Sequence, residues 1–399
     1  MKNWKECKVG EMIDCNPPVK LKKGELYPII DIDKIEIGKR YVSNKDYVIY
    51  EGQSSSKFQD GDTLLARITP CLENGKVATC RIDNQFGFGS TEFFVFRGRE
   101  NKTDNDFVFY FMSSSFIRKL AANSMTGASG RQRADLNFIK NRKFYFPSLP
   151  IQQKIANILS RYDEAIENNN KRIKLLEQMA QNLYKEWFVR FRFPGWENTE
   201  FENGIPKGWN VCRLKDFGKI ITGKTPPTEQ EEYYGEDVMF VKTPDMHGNI
   251  FVQSTSEYLS KLGCEYQKSQ YIPENSIMVS CIGTGGITSI NAYPANTNQQ
   301  INSIILDDKN NLPWLYFTVS NMKETIKMFG NTGTTMTNLS KGKFEKLKVL
   351  KPYDELIQEF SNKVNPIFEK IKLLNTQITN LAKQRDLLLP RLMSGKLEV

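Results

Sequence analysis

Two polar loops carry the side chains in this chain that are best suited to binding a ligand. Residues 126–133 combine glycines with two arginines that flank Gln132, and residues 332–341 combine threonine hydroxyls with an amide and a lysine. Arginine and glutamine can each make paired hydrogen bonds to the edge of guanine or adenine, while hydroxyls and lysines suit phosphates. The composition favours nucleic-acid binding. The alternative is that both are solvated surface loops.

Other polar residues could line the same face of each half of the chain. The predicted DNA-binding residues of the first half are Arg67, Thr69, Asn74, Lys76, Ser129, Arg131, Gln132 and Arg133. Those of the second half are Ser280, Thr284, Gln299, Gln300, Asn302, Thr334, Thr335, Thr337, Asn338 and Lys341. Polar loops at matching places in both halves favour a shared function over two unrelated surface loops.

One segment, at residues 218–225, matches the pattern of a phosphate-binding P-loop. Such a loop needs a buried strand before it and, after it, a helix whose free N–H groups hold the phosphate. Residues 213–216 make a poor buried strand, and Pro226 and Pro227 remove two donors where the helix would begin. We therefore do not predict nucleotide binding at this segment.

Three other hints of catalysis are equally weak. Asn16-Pro17-Pro18 resembles the loop of adenine-N6 methyltransferases, but Val19 stands where a stacking ring is needed. Pro244-Asp245 resembles half of a nuclease motif and lacks the Glu-x-Lys that should follow. The single histidine, His247, cannot build a multi-histidine metal site or a credible Ser/His/Asp set. Turns explain both motifs better, and we predict no catalytic or metal centre in this chain.

The composition describes a folded protein with more than one domain. The 399 residues exceed what a single hydrophobic core usually supports, and 39% are hydrophobic. Seven cysteines, an odd number without a C-x-x-C pair, argue against a disulfide scaffold and favour a reducing cytoplasm. No apolar run approaches the roughly 20 residues that cross a bilayer. The net charge of +9 favours a polyanionic partner.

The chain contains an internal repeat. A shift of 205 residues places Trp4 on Trp209 and Cys7 on Cys212. The same shift pairs Phe109 with Trp314, Ile139 with Phe344, Lys143 with Lys348, Pro147 with Pro352 and Ile151 with Leu356. The segments between these positions do not align residue by residue. We interpret the chain as two tandem copies, each with a diverged body and a better-kept tail.

Each tail is predicted to be a long helix with a coiled-coil seam, because apolar residues recur at alternating steps of four and three. The seam residues are Ile166, Ile173, Leu176 and Leu183 in the first tail and Ile371, Ile378, Leu381 and Leu388 in the second. Asn169 and Arg385 interrupt the two seams. We expect the tails to pack antiparallel on each other, and the alternative is that each covers its own body. Pro390 is predicted to break or kink the second helix.

The bodies read as mixed strand and loop. Predicted strands are 63–68, 92–97, 238–242, 276–281 and 302–306, and predicted short helices are 107–120 and 314–328. The predicted fold class is α+β, with two β-rich bodies joined by two long helices that form an antiparallel coiled coil with pseudo-twofold symmetry. The predicted bounds are 1–145 and 209–350 for the bodies, 146–192 and 351–399 for the long helices, and 193–208 for the linker.

Nearly the whole chain resembles the specificity subunit of Type I restriction–modification systems. The segments that carry the resemblance are Phe146-Pro-Ser-Leu-Pro-Ile-Gln-Gln-Lys-Ile155, Leu183-Tyr-Lys-Glu-Trp-Phe188, Pro194-Gly-Trp196, Gly204-Ile-Pro-Lys-Gly-Trp209 and Leu387-Leu-Leu-Pro-Arg-Leu-Met-Ser-Gly-Lys396. No single motif is decisive, but their order along the chain is specific.

The resemblance implies that each body is a target recognition domain that reads one half of a split, asymmetric sequence in double-stranded DNA. It implies that the helices space the two domains by about one DNA turn, ~34 Å, and dock two modification subunits. Those partners would carry S-adenosylmethionine and methylate adenine at N6, and restriction subunits would add ATP- and Mg²⁺-dependent cleavage. On this basis the chain itself binds no cofactor and is not an enzyme.

A different class of protein would also explain two modules on a helical rod. A non-catalytic scaffold could carry two binding modules for protein or polysaccharide. The two hypotheses differ in their response to salt, since binding through DNA phosphates weakens steeply with ionic strength.

Overall fold

The computed structural model describes residues 4–43, 46–83, 85–127, 130–331 and 337–399. Three of the predicted DNA-binding residues, Ser129, Thr334 and Thr335, lie outside the described residues. The chain divides into two compact units. The first unit contains residues 1–168 and 377–399, and the second contains residues 169–376.

In the first unit, the strands are Lys5–Lys8, Ile13–Cys15, Leu26–Ile30, Tyr41–Val42, Tyr47–Ile49, Ser56–Gln59, Thr63–Ala66, Val77–Cys80, Phe86–Gly89, Phe93–Gly98 and Lys143–Phe146. Its short α-helices are Val9–Met12, Asn105–Ser113, Ser115–Asn123 and Leu136–Lys140. The first long helix, Leu149–Tyr184, starts in this unit, and the second long helix, Asp354–Met393, ends in it.

In the second unit, the strands are Phe201–Glu202, Ile205–Pro206, Asn210–Arg213, Gly218–Thr222, Tyr234–Val241, Phe251–Val252, Glu257–Leu259, Ile277–Ser280, Ile282–Gly283, Thr288–Asn291, Ala295–Thr297, Ile301–Leu306, Thr337–Asn338 and Lys348–Lys351. Its short α-helices are Lys261–Tyr266, Leu312–Asn321, Lys323–Gly330 and Lys341–Glu345. A π-helical turn, Lys185–Val189, continues the first long helix.

The two units contain a sheet of the same strand order. In the first unit the order is Ile13–Cys15, Phe93–Gly98, Thr63–Ala66, Val77–Cys80, Tyr41–Val42. In the second it is Gly218–Thr222, Ile301–Leu306, Ile277–Ser280, Thr288–Asn291, Phe251–Val252. In both, the last strand pairs parallel with its neighbour and the other neighbours are antiparallel. Shared topology confirms the predicted duplication of the bodies and the α+β class.

The short helices differ in detail from the predicted ones. The helix predicted at 107–120 is two helices, because Ser114 takes an extended conformation between them. Its hydroxyl donates a hydrogen bond of 2.6 Å to the carbonyl of Phe111, which ends the first helix. Asp104 caps the start of that helix by accepting from the N–H of Phe107 at 2.9 Å. The prediction of helix was right, and the prediction of a single helix was wrong.

Within each unit the two long helices contribute to one hydrophobic core. In the first unit, Leu159, near the start of the first long helix, shares a core with Leu392, at the end of the second. In the second unit, Tyr184, at the end of the first helix, packs on Phe360, near the start of the second, with ring centroids 6.2 Å apart. In the first unit the start of the first long helix therefore packs with the end of the second, and in the second unit the end of the first packs with the start of the second. This is antiparallel packing, as predicted.

Five of the predicted seam residues belong to these cores or pack against them: Ile173, Leu176, Leu183 and Ile371 in the second unit and Leu388 in the first. Ile371 is fully buried. The others, Ile166, Ile173, Leu176, Leu183, Ile378, Leu381 and Leu388, are partly buried. The predicted break at Pro390 is wrong, since the second long helix continues to Met393. Burial of Leu392 and Met393 in the first unit's core compensates for the hydrogen bond that a proline cannot donate.

Candidate nucleic-acid interface

In the first unit, two of the predicted loops are hydrogen-bonded to each other. The N–H of Thr69 donates to the carbonyl of Gln132 at 3.0 Å, and the N–H of Gln132 donates to the hydroxyl of Thr69 at 3.1 Å. Ile68 and Arg133 form a β-bridge beside them. We call residues 67–76 and 130–134 the first loop pair. Its backbone is fixed by these contacts, so its side chains are presented from defined positions.

A carboxylate holds two of the predicted arginines in this loop pair. Arg133 donates from Nε to both carboxylate oxygens of Glu92, at 3.0 and 2.9 Å, and from Nη2 to Oε1 at 2.6 Å. Arg67 donates from Nε to the same carboxylate at 3.3 Å. The hydrogen bond from Arg133 lowers the pKa of Glu92, which stays ionised. Glu92 is 19% exposed and Arg133 is 45% exposed, so the pair lies at the surface.

The remaining predicted residues of the first unit have different surroundings. Lys76 donates from Nζ to the carbonyl of Ile32 at 2.8 Å, and this bond limits its reach. Asn74 and Arg131 are exposed. Within the described part of the chain, the guanidinium of Arg131 makes no hydrogen bond or ion pair. Arg131 is therefore the freest cation of the first loop pair.

The second unit brings together the corresponding loops. Strand Ile282–Gly283 pairs antiparallel with Thr337–Asn338. The approach is so close at Gly285 that a Cβ there would lie 2.6 Å from Cγ2 of Thr337, and only glycine fits. We call residues 281–287 and 337–341 the second loop pair.

Backbone hydrogen bonds show which residues of the two loop pairs are equivalent. In the first unit the N–H of Arg67 donates to the carbonyl of Glu92 at 2.9 Å, and in the second the N–H of Cys281 donates to the carbonyl of Gln300 at 2.7 Å. In each unit the bond joins the first residue of a hairpin loop to the residue that directly precedes the neighbouring strand of the same sheet. Glu92 therefore corresponds to Gln300, and Arg67 to Cys281.

A second bond completes the correspondence. The N–H of Ala134 donates to the carbonyl of Arg67 at 2.8 Å, and the N–H of Leu339 donates to the carbonyl of Cys281 at 2.9 Å. The preceding residues, Arg133 and Asn338, occupy equivalent places, and each forms a bridge to the hairpin loop. The same backbone arrangement therefore carries Glu92 with Arg133 in one unit and Gln300 with Asn338 in the other.

Three residues predicted to contact DNA are buried, and the structure contradicts these predictions. Ser280 has no exposed surface, and its hydroxyl accepts from the N–H of Ile287 at 2.9 Å. Asn302 is 2% exposed and accepts from the hydroxyl of Thr222 at 2.6 Å. Thr337 is buried against the glycine of the opposite loop. The polar groups of Ser280 and Asn302 are hydrogen-bonded inside the protein, and burial keeps all three side chains from a base or a phosphate.

The other predicted residues of the second unit remain accessible. Thr284, Gln299, Asn338 and Lys341 are exposed, and Gln300 is partly buried. Gln299 accepts from the hydroxyl of Thr225 at 2.5 Å. Gln300 accepts through Oε1 from the hydroxyl of Thr243 and from Nδ2 of Asn298, both at 3.2 Å. Its two Nε2 hydrogens are not used in these bonds.

The segments considered as catalytic motifs are structural. Residues Gly218–Thr222 form a sheet strand, so the P-loop pattern is coincidental. Asn16 takes a positive φ of 51° and its side chain accepts from the N–H of Val95 at 2.9 Å. Asp245 lies in a 3₁₀ turn and accepts from the N–H of Lys242 at 2.8 Å. The predicted turns are confirmed.

Comparison with known proteins decides the family. The family model for the Type I restriction modification DNA specificity domain matches residues 1–178 and again 206–384. The chain belongs to this family. The family recognises DNA sequence within Type I restriction–modification systems, which agrees with the resemblance inferred from the sequence motifs.

Individual relatives agree with this assignment. The Type I restriction enzyme HindI specificity subunit of Haemophilus influenzae is 32% identical, over 87% of this chain and 88% of that protein. The putative MjaX specificity subunit of Methanocaldococcus jannaschii is 23% identical, over 94% and 88%. The crystal structure of a Type I restriction-modification S subunit from M. genitalium matches 98% of this chain and 96% of that one, with a TM-score of 0.55 and 15% identity, and shows the shared fold.

In this specificity-family chain, the helices of the first unit carry a buried ionic network that was not predicted. Asp163 accepts from Nη1 of Arg385 at 2.5 Å and from the hydroxyl of Tyr110. Tyr110 accepts in turn from Nη1 of Arg40 at 3.2 Å, and Arg40 also pairs with Asp106. Burial and the Asp163 carboxylate raise the pKa of Tyr110 far above its usual value. Within the first unit, the network joins both long helices to helix Asn105–Ser113 and to Arg40, which directly precedes strand Tyr41–Val42.

The second unit replaces this network with apolar packing. The 205-residue repeat places Phe368 where the first unit has Asp163, and Ala180 where it has Arg385. Both are buried in one hydrophobic core. Arg385, which interrupts the predicted seam, is therefore the partner of the buried Asp163. The second unit has no charge at the two corresponding positions, Ala180 and Phe368.

No helix among the described residues combines the length and the apolar character that crossing a bilayer requires.

Proposed function

We propose that this chain is the DNA-binding subunit of a Type I restriction–modification complex, and that it reads a bipartite asymmetric site with one unit on each half. The observation that carries the proposal is the equivalence of the two loop pairs. One backbone arrangement presents Glu92 and Arg133 in the first unit, and Gln300 and Asn338 in the second. Two recognition units that share a backbone arrangement and differ in their side chains would suit the two unlike halves of an asymmetric sequence.

The predicted partners belong to this proposal. Two modification subunits would dock on the helices, carry S-adenosylmethionine and methylate adenine at N6, and restriction subunits would supply the ATP- and Mg²⁺-dependent cleavage. Two like partners are favoured because the tails of the two halves repeat with the constant shift of 205 residues. This chain would then contribute recognition, without a cofactor or a catalytic step of its own.

Mapping of N6-methyladenine in the genome of the host tests the proposal. We expect one motif with two unlike halves and a fixed spacer, methylated when this chain is present and unmethylated when its gene is deleted. Restoring the gene on a plasmid should restore the methylation. An unchanged set of methylated adenines after deletion would contradict the proposal.

A separate experiment tests which subunit binds S-adenosylmethionine. Isothermal titration of S-adenosylmethionine into the purified chain should give no binding, whereas the complex with its modification subunits should bind about one molecule for each modification subunit. Saturable binding to the chain alone would contradict its non-catalytic role.

A further inference from the structure

The equivalence of the loop pairs points to the bases that each unit prefers. Resting on the proposed function, we infer that Arg133 reads a guanine in one half-site, with Glu92 as its positioning residue, and that Asn338 reads an adenine at the equivalent place in the other half-site. The protein already uses some hydrogen-bonding groups of these side chains and leaves the others at the surface.

The guanidinium of Arg133 is used on one edge only. Glu92 accepts from Nε and from Nη2, which lie side by side along that edge. The edge formed by Nη1 and the second hydrogen of Nη2 keeps two parallel donors. Guanine presents two acceptors, O6 and N7, on its major-groove edge, and this pair matches the remaining donors.

Glu92 is itself held in place. Arg67 donates to its carboxylate, and the backbone carbonyl of Glu92 accepts from the N–H of Arg67 at 2.9 Å. The guanidinium of Arg67 also lies 5.6 Å from the ring centre of Phe94. A fixed carboxylate restrains the long side chain of Arg133, so less conformational entropy is lost when the arginine meets a base.

In the second unit the equivalent pair is neutral. Asn338 carries both a donor and an acceptor, and adenine presents the complementary pair, N6–H and N7, on its major-groove edge. A neutral amide needs no counter-charge, and Gln300 replaces the carboxylate of Glu92. Because Oε1 of Gln300 already accepts from Thr243 and Asn298, its unused groups are donors. The charge at the place of Glu92 therefore changes together with the charge of the residue that reads the base.

The test uses the full chain in complex with its own modification subunits. The complex methylates a plasmid library that carries the mapped site with each position randomised in turn, and sequencing reads the N6-methyladenine. We expect one half-site of the wild-type motif to require a G·C pair at one position. Arg133→Ala should reduce discrimination there by about tenfold or more and leave the other half-site unchanged.

Two further variants separate base reading from simple charge. Arg133→Lys keeps the positive charge and loses the paired donors, so discrimination at that position should fall while methylation of all variants persists. The double variant Glu92→Gln, Arg133→Asn copies the second unit and should shift the preference from guanine to adenine. Full retention of the guanine preference by Arg133→Lys would overturn the inference.

Arg99→Ala is the matched control. Arg99 pairs with Asp14 at 2.8 Å, directly after strand Phe93–Gly98, whereas Glu92 directly precedes the same strand. Its loss removes a comparable ion pair from the other end of the strand and should leave the motif unchanged. A bipartite motif that Arg133→Ala does not alter overturns this inference alone, whereas methylation that does not depend on the chain overturns the proposed function. Thermal denaturation of each variant complex verifies folding.

Discussion

At the scale of single residues, burial separates side chains that can contact DNA from those that hold the loops. Ser280 was predicted to contact DNA, but its hydroxyl donates to the carbonyl of Thr284 at 2.6 Å and accepts from the N–H of Ile287. Ser280→Ala leaves that N–H unsatisfied in the interior and should lower the free energy of unfolding by about 1–3 kcal/mol. The methylated motif should not change.

Chemical denaturation of the chain and methylome sequencing measure the two effects. Thr284→Ala, which truncates an exposed side chain of the same loop, is the control and should change stability by no more than about 0.5 kcal/mol. A Ser280→Ala protein with full stability and an altered motif would mean that the serine does reach DNA.

At the scale of elements, a buried ion pair joins the two long helices within the first unit. Asp163 is 3% exposed and Arg385 is 14% exposed. Arg385→Ala leaves the buried carboxylate of Asp163 without its counter-ion and should cost about 3–5 kcal/mol. Asp163→Ala should cost less, because Arg385 stays paired with Asp386 at 2.9 Å. The double variant should cost less than the sum of the single ones by about 0.5–3 kcal/mol. A double-mutant cycle by denaturation measures this coupling, and strictly additive costs would show that the pair does not stabilise the helices.

Neighbouring leucines on the first long helix give a second test at this scale. Leu176 packs against the core of the second unit, whereas Leu175 is exposed. Leu176→Asp buries a charge in apolar surroundings and should open the helix packing and weaken capture of the modification subunits. Leu175→Asp is the matched control for stability. Gel filtration of the mixed subunits and denaturation of the chain measure both effects, and equal behaviour of the two variants would contradict the assigned seam.

At the scale of the whole molecule, the net charge of +9 suits a polyanion and predicts how binding responds to salt. The affinity of the complex for a duplex with the mapped site should fall with salt, with log K decreasing by about 0.9 per log unit of salt for each phosphate contact. Fluorescence anisotropy at salt concentrations from roughly 50 to 200 mM measures the slope. A flat response would favour the scaffold hypothesis over DNA binding.

The sequence by itself determined the features that depend on local spacing. The steps of four and three defined both long helices, because side chains that recur with this period share one helix face. The shift of 205 residues revealed the duplication, and β-branched and aromatic runs marked strands such as Ile301–Leu306. Each of these signals lies within a short stretch of chain or in a repeated pattern, so no knowledge of distant contacts was needed.

Only the tertiary structure decided which polar residues are available and which are equivalent. Arg133 and Glu92 are 41 residues apart, and no local pattern marks them as partners. Equivalent loop residues are separated by 214 positions for Arg67 and Cys281 but by 208 for Glu92 and Gln300, so no constant shift aligns them. Burial of Ser280 and the pairing of Asp163 with Arg385 likewise follow from long-range packing. Chain folding brings such residues together across intervening segments of variable length, and the spacing in the sequence does not preserve that information.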